Sequence, residues 1–150
     1  MKKKSARLAP VKKLAENKEK SATEEMVVAR NSHQGHEHKL GDLVRYRVEY
    51  IEQFHSRAKS GMQSSQLQQY KQFISQLDVA IQQQQQIVSD ASQVLDKSQN
   101  HWREKHSHKK AISRVVNRFK KQENSSEEKK QQADLDEHNT QKHNQKNHSR

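Results

Sequence analysis

From Leu67 the chain can be followed in alternating steps of three and four residues through Tyr70, Ile74, Leu77, Ile81, Gln84, Val88, Ala91, Leu95 and Ser98 to Trp102, and nearly every stop is apolar. A mean step of about 3.5 residues keeps one row of side chains facing a partner helix, as in a coiled coil. A strand would need a period of two. The glutamine run Gln82–Gln86 lies inside this seam. Only Gln84 falls on the seam; the others take flanking or outward positions, where glutamine forms helix well. The run therefore reads as polar helix surface rather than low-complexity filler.

Composition narrows the alternatives. Only 29% of the chain is AVILMFWYC, with three Phe, three Tyr and one Trp among 150 residues. That is too little apolar matter for a globular core. Three Gly and one Pro cannot supply the turns of a β-sandwich. Long helix or disorder remains. No cysteine is present, which excludes a disulfide framework and a thiol nucleophile and suits a reducing compartment. The basic start, Met1 to Lys4, is followed by no apolar run of signal-peptide length, and nothing approaches a transmembrane span, so a soluble cytoplasmic chain is expected.

The first half repeats the pattern more weakly through Ala15, Ala22, Met26, Ala29, His33, His36, Leu40, Leu43, Arg47, Tyr50 and Phe54. Gly61 lies between the two runs and supplies a permissive turn backbone. Ser65, three residues before Gln68, reads as a capping box opening the second helix. Pro10 reads as the first residue of the first helix. Folding the chain back at Met62 pairs Phe54 with Tyr70, Tyr50 with Ile74, Arg47 with Leu77, Leu43 with Ile81, Leu40 with Gln84, His36 with Val88, Ala29 with Leu95 and Ala22 with Trp102. Both seams then stay in phase, and small residues meet large ones at the last two pairs. The fold class expected is all-α, a long antiparallel two-helix coiled-coil hairpin over 1–138 with a disordered polar tail over 139–150. Its helices are expected over about 10–58 and from 65 to about 122 or beyond, joined by a turn at 59–64, with roughly 70–80 Å of helix on each side.

Stability is expected to vary along the hairpin. Gly35 and Gly41 weaken the middle of the first helix, beside His33 and His36 on the seam. Toward the open end, Leu8, Val11 and Leu14 are expected to meet Ile112, Val115, Val116 and Phe119 in a second, smaller cluster, after Lys105 and Lys109 interrupt the apolar seam. Beyond Phe119 only Leu135 is a large apolar residue, so fraying is expected.

Catalytic signals are absent: no phosphate-binding glycine loop and no nucleophile elbow. An enzyme is not expected, nor any cofactor. His33 and His36 share a helix face, as two zinc ligands would, but lack a third ligand of suitable spacing, and read as polar residues tolerated in a weak seam. A net charge of +11 invites a polyanion, either nucleic acid or an acidic protein surface. The densest basic stretches, Lys2 to Lys20 and Arg103 to Lys121, come together at the open end, which suits a plug for an acidic ring better than a groove-tracking surface. Phe73, Leu77, Ala80 and Gln84 form one stripe, and Lys39, Leu43, Tyr46 and Tyr50 a parallel one. Tyr46 and Phe73 sit at the seam's edge, where they either widen it or form a docking face.

"YRVEYIEQF" at 46–54, "YKQFISQLDVAI" at 70–81, "HWREK" at 101–105 and "QQADLDEH" at 131–138 together resemble the flagellar type III export protein family FliJ over about residues 8–138. The resemblance implies an antiparallel coiled coil shaped like the stalk of a rotary ATP synthase. It implies a place in the pore of the hexameric flagellar export ATPase FliI, binding to the cytoplasmic region of the export gate protein FlhA, and binding to flagellar export chaperones. By the same resemblance, Lys12, Lys13, Arg103 and Lys105 would enter the ATPase ring. Leu43, Tyr46, Tyr50, Phe73, Leu77 and Ala80 would dock the gate, with Lys39 and Gln84 as polar departures from that surface. Membrane contact would be indirect, through the gate at the inner face of the cell membrane. The alternatives are the equivalent stalk of a virulence type III secretion system and a basic coiled coil that binds nucleic acid non-specifically. The resemblance assigns no role to the histidine-rich tail.

Overall fold

Both seams lie on helices. In a computed structural model describing residues 2–149, α1 spans Lys4–Lys59 and α2 spans Ser64–His148, 56 and 85 residues respectively. Met1 and Arg150, the ends of the expected hairpin and tail, lie outside the described residues. The two helices pack against each other as an all-α hairpin, and no strand occurs among the described residues.

Gly61 makes the turn with φ at 90°, a left-handed conformation that glycine adopts without a Cβ clash. The Ser60 and Gly61 amides donate to the carbonyls of Arg57 and Ala58 at 3.1 and 3.2 Å, closing the last turn of α1. At the start of α2, Leu67 N donates to the Gln63 carbonyl at 3.1 Å. The helix thus opens at Ser64, so Ser65 lies within its first turn rather than at the expected capping position.

The contacts divide the chain into two compact units. In the unit Ser21–Arg103, the least exposed residues are Ala22, Ala29, Tyr70, Leu77 and Gln84, all on the expected seams. Phe54 and Tyr70 meet with ring centroids 5.3 Å apart, as the fold-back register requires. Arg47 Nε donates to Asp78 Oδ1 at 2.5 Å, and Trp102 Nε1 donates to Thr23 Oγ1 at 2.9 Å, each one residue from the expected partner. Gln84, only 3% exposed, donates through Nε2 to the His36 carbonyl at 3.0 Å. That bond satisfies a polar group that would otherwise cost free energy inside the seam, and a lone buried amide of this kind disfavours slipped registers.

Gly35 and Gly41 lie inside α1, and a Cβ at either would meet nothing within 4 Å. They therefore contribute only the backbone-entropy penalty of glycine in a helix. The double variant Gly35→Ala/Gly41→Ala is expected to raise stability by about 2 kcal/mol, read as a shift of the urea midpoint at unchanged slope. An unchanged or lowered midpoint would show that the flexibility is offset elsewhere.

In the unit formed by Met1–Lys20 and Glu104–Arg150, the seam runs through Ser5, Leu8, Lys12, Ala15 and Glu19 in α1. In α2 it continues without a phase slip through Lys105, Lys109, Ile112, Val116, Phe119 and Glu123. Val116 and Ala15 are each 2% exposed, whereas Val11 and Leu14 are 44% and 54% exposed. The expected end cluster is thus corrected: the three-four register admits Leu8 and Ala15 and turns Val11 and Leu14 outward, despite their hydrophobicity.

Pro10 likewise lies inside α1 instead of opening it. The missing Pro10 amide leaves the Ala6 carbonyl without its usual donor, which would normally end the helix. The preceding turn is held from the opposite helix: Glu123 accepts from the Ser5 amide at 3.1 Å and from the Ser5 hydroxyl at 2.6 Å. A carboxylate at the positive end of a helix, satisfying a free first-turn amide, is a cap supplied in trans. Lys3 Nζ lies 3.6 Å from Glu127, and Lys4 Nζ lies 5.5 Å from the centroid of the Phe119 ring.

From Asn124 to Ser149 every residue is exposed. Where the sequence leads one to expect disorder from Asn139, α2 continues to His148, with local bonds such as Thr140 Oγ1 to the Asp136 carbonyl at 2.8 Å and nothing buried.

Candidate functional site

The expected gate-docking residues, Leu43, Tyr46, Tyr50, Phe73, Leu77 and Ala80, all lie in the unit Ser21–Arg103, on facing stretches of α1 and α2. They do not share one environment. Leu77 is 7% exposed and belongs to the seam, while Leu43, Tyr50, Phe73 and Ala80 are half-buried and Tyr46 is 49% exposed. The reason is positional: Tyr46 and Phe73 each precede a seam residue, Arg47 and Ile74, and therefore share one flank of the helix pair.

Rings tie this stretch together. Tyr50 and Phe73 have centroids 4.3 Å apart, Tyr50 and Tyr70 4.9 Å, and Tyr46 meets Phe73 edge-on at 6.2 Å and 77°. Edge-to-face and offset pairs of this kind contribute about 0.5–1.5 kcal/mol each beyond their buried area. Burial and the neighbouring phenols of Tyr70 and Tyr46 push the Tyr50 hydroxyl above its ordinary value, so it stays neutral well into alkali. Tyr46 thus presents an exposed ring whose inner edge is fixed by packing, an arrangement suited to receiving an apolar partner.

Sequence reasoning missed two neighbours on that flank. Ile87 and Val94, 42% and 57% exposed, follow Phe73 and Ala80 at a strict seven-residue interval. The signal is contained in the heptad, but Ile87 directly follows the glutamine run Gln82–Gln86 and neither it nor Val94 occupies a seam position.

The residues expected to enter the ATPase ring are distributed by unit. Lys12 and Lys105 are half-buried on the seam of the basic-ended unit, and Lys13 is exposed there. Arg103 is the last residue of the other unit, with Nη1 donating to Asn100 Oδ1 at 3.1 Å. The excess of Lys and Arg over Asp and Glu, +11 for the whole chain, falls entirely within Met1–Lys20 and Glu104–Arg150; Ser21–Arg103 carries equal numbers of each. No group of three or more His, Cys, Asp or Glu among the described residues is placed to hold a metal. His33 Nε2 lies 3.4 Å from Glu37 Oε1 on its own helix.

Two carboxylates of the basic unit sit below their ordinary range. The Ser5 hydroxyl and amide hold Glu123 down. Burial pushes Glu19 up, but hydrogen bonds from His106 and Lys109, 3.1 and 3.4 Å away, together with their charges, more than offset it. A carboxylate whose folded pKa is depressed stabilises the fold above its unfolded value, near 4.3, and that contribution disappears as pH falls through the folded value. Acidification from about pH 5 to about pH 3 is therefore expected to release the first turns of α1, seen as faster amide exchange at Ser5 to Leu8. Glu123→Gln should show fast exchange at those amides already at pH 7. Protection unchanged by acid or by the substitution would remove Glu123 from this role.

A helical hairpin with an apolar seam at three-four spacing in each unit, an aromatic edge on one flank of Ser21–Arg103 and its net charge gathered in the other unit is a coiled-coil protein. Among the described residues no helix is long and apolar enough to cross a membrane. The family model for the flagellar FliJ protein matches residues 3–148. The flagellar FliJ protein of Escherichia coli (strain K12) is 35% identical over 98 residues, covering 65% of this chain and 67% of that protein. No solved structure matches the chain. The chain belongs to the flagellar FliJ family.

Proposed function

We propose that this chain is a stalk-like adaptor of the flagellar protein export apparatus, acting by binding and without chemistry of its own. Its basic unit, through Lys12, Lys13 and Lys105 together with Arg103, engages the pore of the hexameric export ATPase. The flank bearing Tyr46, Phe73 and Ala80, braced by Leu43, Tyr50 and Leu77, docks the cytoplasmic region of the export gate, and export chaperones bind the same protein. The observation that carries the reading is the half-exposed ring of Tyr46 packed edge-on against Phe73, which lies outside the seam and leaves apolar surface for a partner. Membership of the flagellar FliJ family supports it.

The test is capture of the export ATPase and the gate's cytoplasmic region by the purified chain at moderate salt. Retention of both is the expected result. Binding driven by phosphate neutralisation falls steeply with salt, whereas an apolar docking face does not. Capture of neither partner, with salt-sensitive binding to an oligonucleotide, would replace this reading with that of a basic nucleic-acid binder.

A further inference from the structure

The unit Ser21–Arg103 carries more exposed apolar surface on its docking flank than Tyr46 and Phe73 account for. Both rings stand one residue before a seam position, and they touch, so positions of this kind in α1 and α2 share a flank. On α2 the row runs Phe73, Ala80, Ile87 and Val94, each seven residues after the last. At its far end Val94 and Val28 line one groove between the helices, which fixes the flank on both sides. They are 57% and 67% exposed, and Ile87 is 42% exposed. The register that sets Val28 beside Val94 sets Gly35 beside Ile87, two helical turns nearer the aromatic edge. Gly35 has no side chain and a Cβ there would meet nothing within 4 Å, so α1 leaves the groove open beside Ile87.

We propose that the partner placed on Tyr46 and Phe73 extends along this row to Ile87 and Val94 through an amphipathic helix that lies in the groove and passes closest to α1 at Gly35. The inference rests on the gate-docking reading and adds the shape and reach of the element that docks. Spacing selects a helix: anchors seven residues apart stand about 10 Å apart, and a helix coiling alongside returns an apolar side chain at that interval. A strand returns its side chains at about 7 Å and falls out of step with the row. Continuity selects the same partner, because the row passes from Phe73 to Val94 with no polar residue at any of its positions. The bordering charges set the partner's polarity. Lys39 on α1 is exposed and forms no ion pair among the described residues, whereas Asp42 is held by Arg45 at 2.9 Å. Asp90 on α2 accepts a bond from the neutral Gln86 amide at 2.9 Å and keeps its charge. A helix with acids toward α1 and bases toward α2 complements both edges. Glycine at position 35 permits the close approach of a second backbone. The row ends before Arg103, so it stays outside the stretch proposed to enter the ATPase ring.

The experiment is calorimetric titration of the full chain with the gate's cytoplasmic region. Ile87→Ser/Val94→Ser is expected to weaken binding by at least about tenfold at unchanged helix content, because both side chains are exposed in the free hairpin. Gly35→Gln is expected to raise the urea midpoint, since glutamine forms helix better than glycine, and yet to weaken binding by about fivefold or more through a clash with the docked helix. Val48→Ser/Val79→Ser, exposed to the same extent but off this flank, should bind as wild type. Wild-type affinity in either of the first two variants, with binding lost in Tyr46→Ala/Phe73→Ala, would end the docking face at Ala80 and overturn the extension while leaving the gate reading in place. Equal weakening by Val48→Ser/Val79→Ser would also overturn it. A wild-type chain that does not bind the gate overturns both.

Discussion

Leu77→Asp is expected to unfold the unit Ser21–Arg103. Leu77 is 7% exposed on the α2 seam, between Ile74 and Ile81 at three- and four-residue steps. Its loss removes a buried aliphatic side chain, and its replacement puts a carboxylate where the nearest charged group on the same helix is another acid, Asp78. The combined cost is on the order of 4–5 kcal/mol, comparable with the whole stability of a small domain. Urea unfolding followed by far-UV circular dichroism should show a midpoint near zero denaturant or no folded baseline. Val79→Asp, two residues away but 52% exposed, should stay within about 0.5 kcal/mol of the parent. Equal behaviour of the two variants would mean that the seam is misplaced.

That contrast shows what the sequence could disclose. The seam from Leu67 to Trp102 and its fold-back partners were legible because one periodicity decides which side chains are buried, and the same arithmetic fixes the register. At Val11 and Leu14 phase outweighs hydrophobicity: the period assigns them to the flank, and the structure leaves them exposed. Pro10 misled for a different reason. Local propensity places a helix start there, but a long-range cap from Glu123 to Ser5 carries the helix past it, and no local pattern announces a bond across that separation. Within the candidate site, the edge positions of Tyr46 and Phe73 could be read directly. The packing of Tyr50 against Phe73 needed the facing helix to be in place, whereas the continuation through Ile87 and Val94 is contained in the seven-residue interval.

Tyr46→Ala/Phe73→Ala is expected to abolish most of the binding to the export gate while leaving the fold nearly intact. The two rings meet edge-on at 6.2 Å and each also meets Tyr50, so removing both deletes three aromatic pairs, about 0.5–1.5 kcal/mol each, together with area that is already partly in water. Tyr50 and Tyr70, at 4.9 Å, and Phe54 and Tyr70, at 5.3 Å, still hold the end of the seam near the turn. Helix content should therefore stay close to that of the parent. For a partner, by contrast, Tyr46 and Phe73 are the large rings on the flank, and loss of aromatic anchors at a docking surface commonly costs 2 kcal/mol or more each, so the affinity should fall by at least about thirtyfold. Capture of the export ATPase, proposed to depend on Lys12, Lys13, Arg103 and Lys105, should be unaffected. Tyr50→Ala separates stability from docking, because it also deletes three ring contacts, with Tyr46, Tyr70 and Phe73, but keeps both flank rings, so it should lower the urea midpoint to a similar degree while retaining more gate affinity than the double variant. If the double alanine variant instead loses most of its helicity, the rings belong to the core and the docking face lies elsewhere; if it keeps full gate affinity with full helicity, the exposed edge has no part in binding.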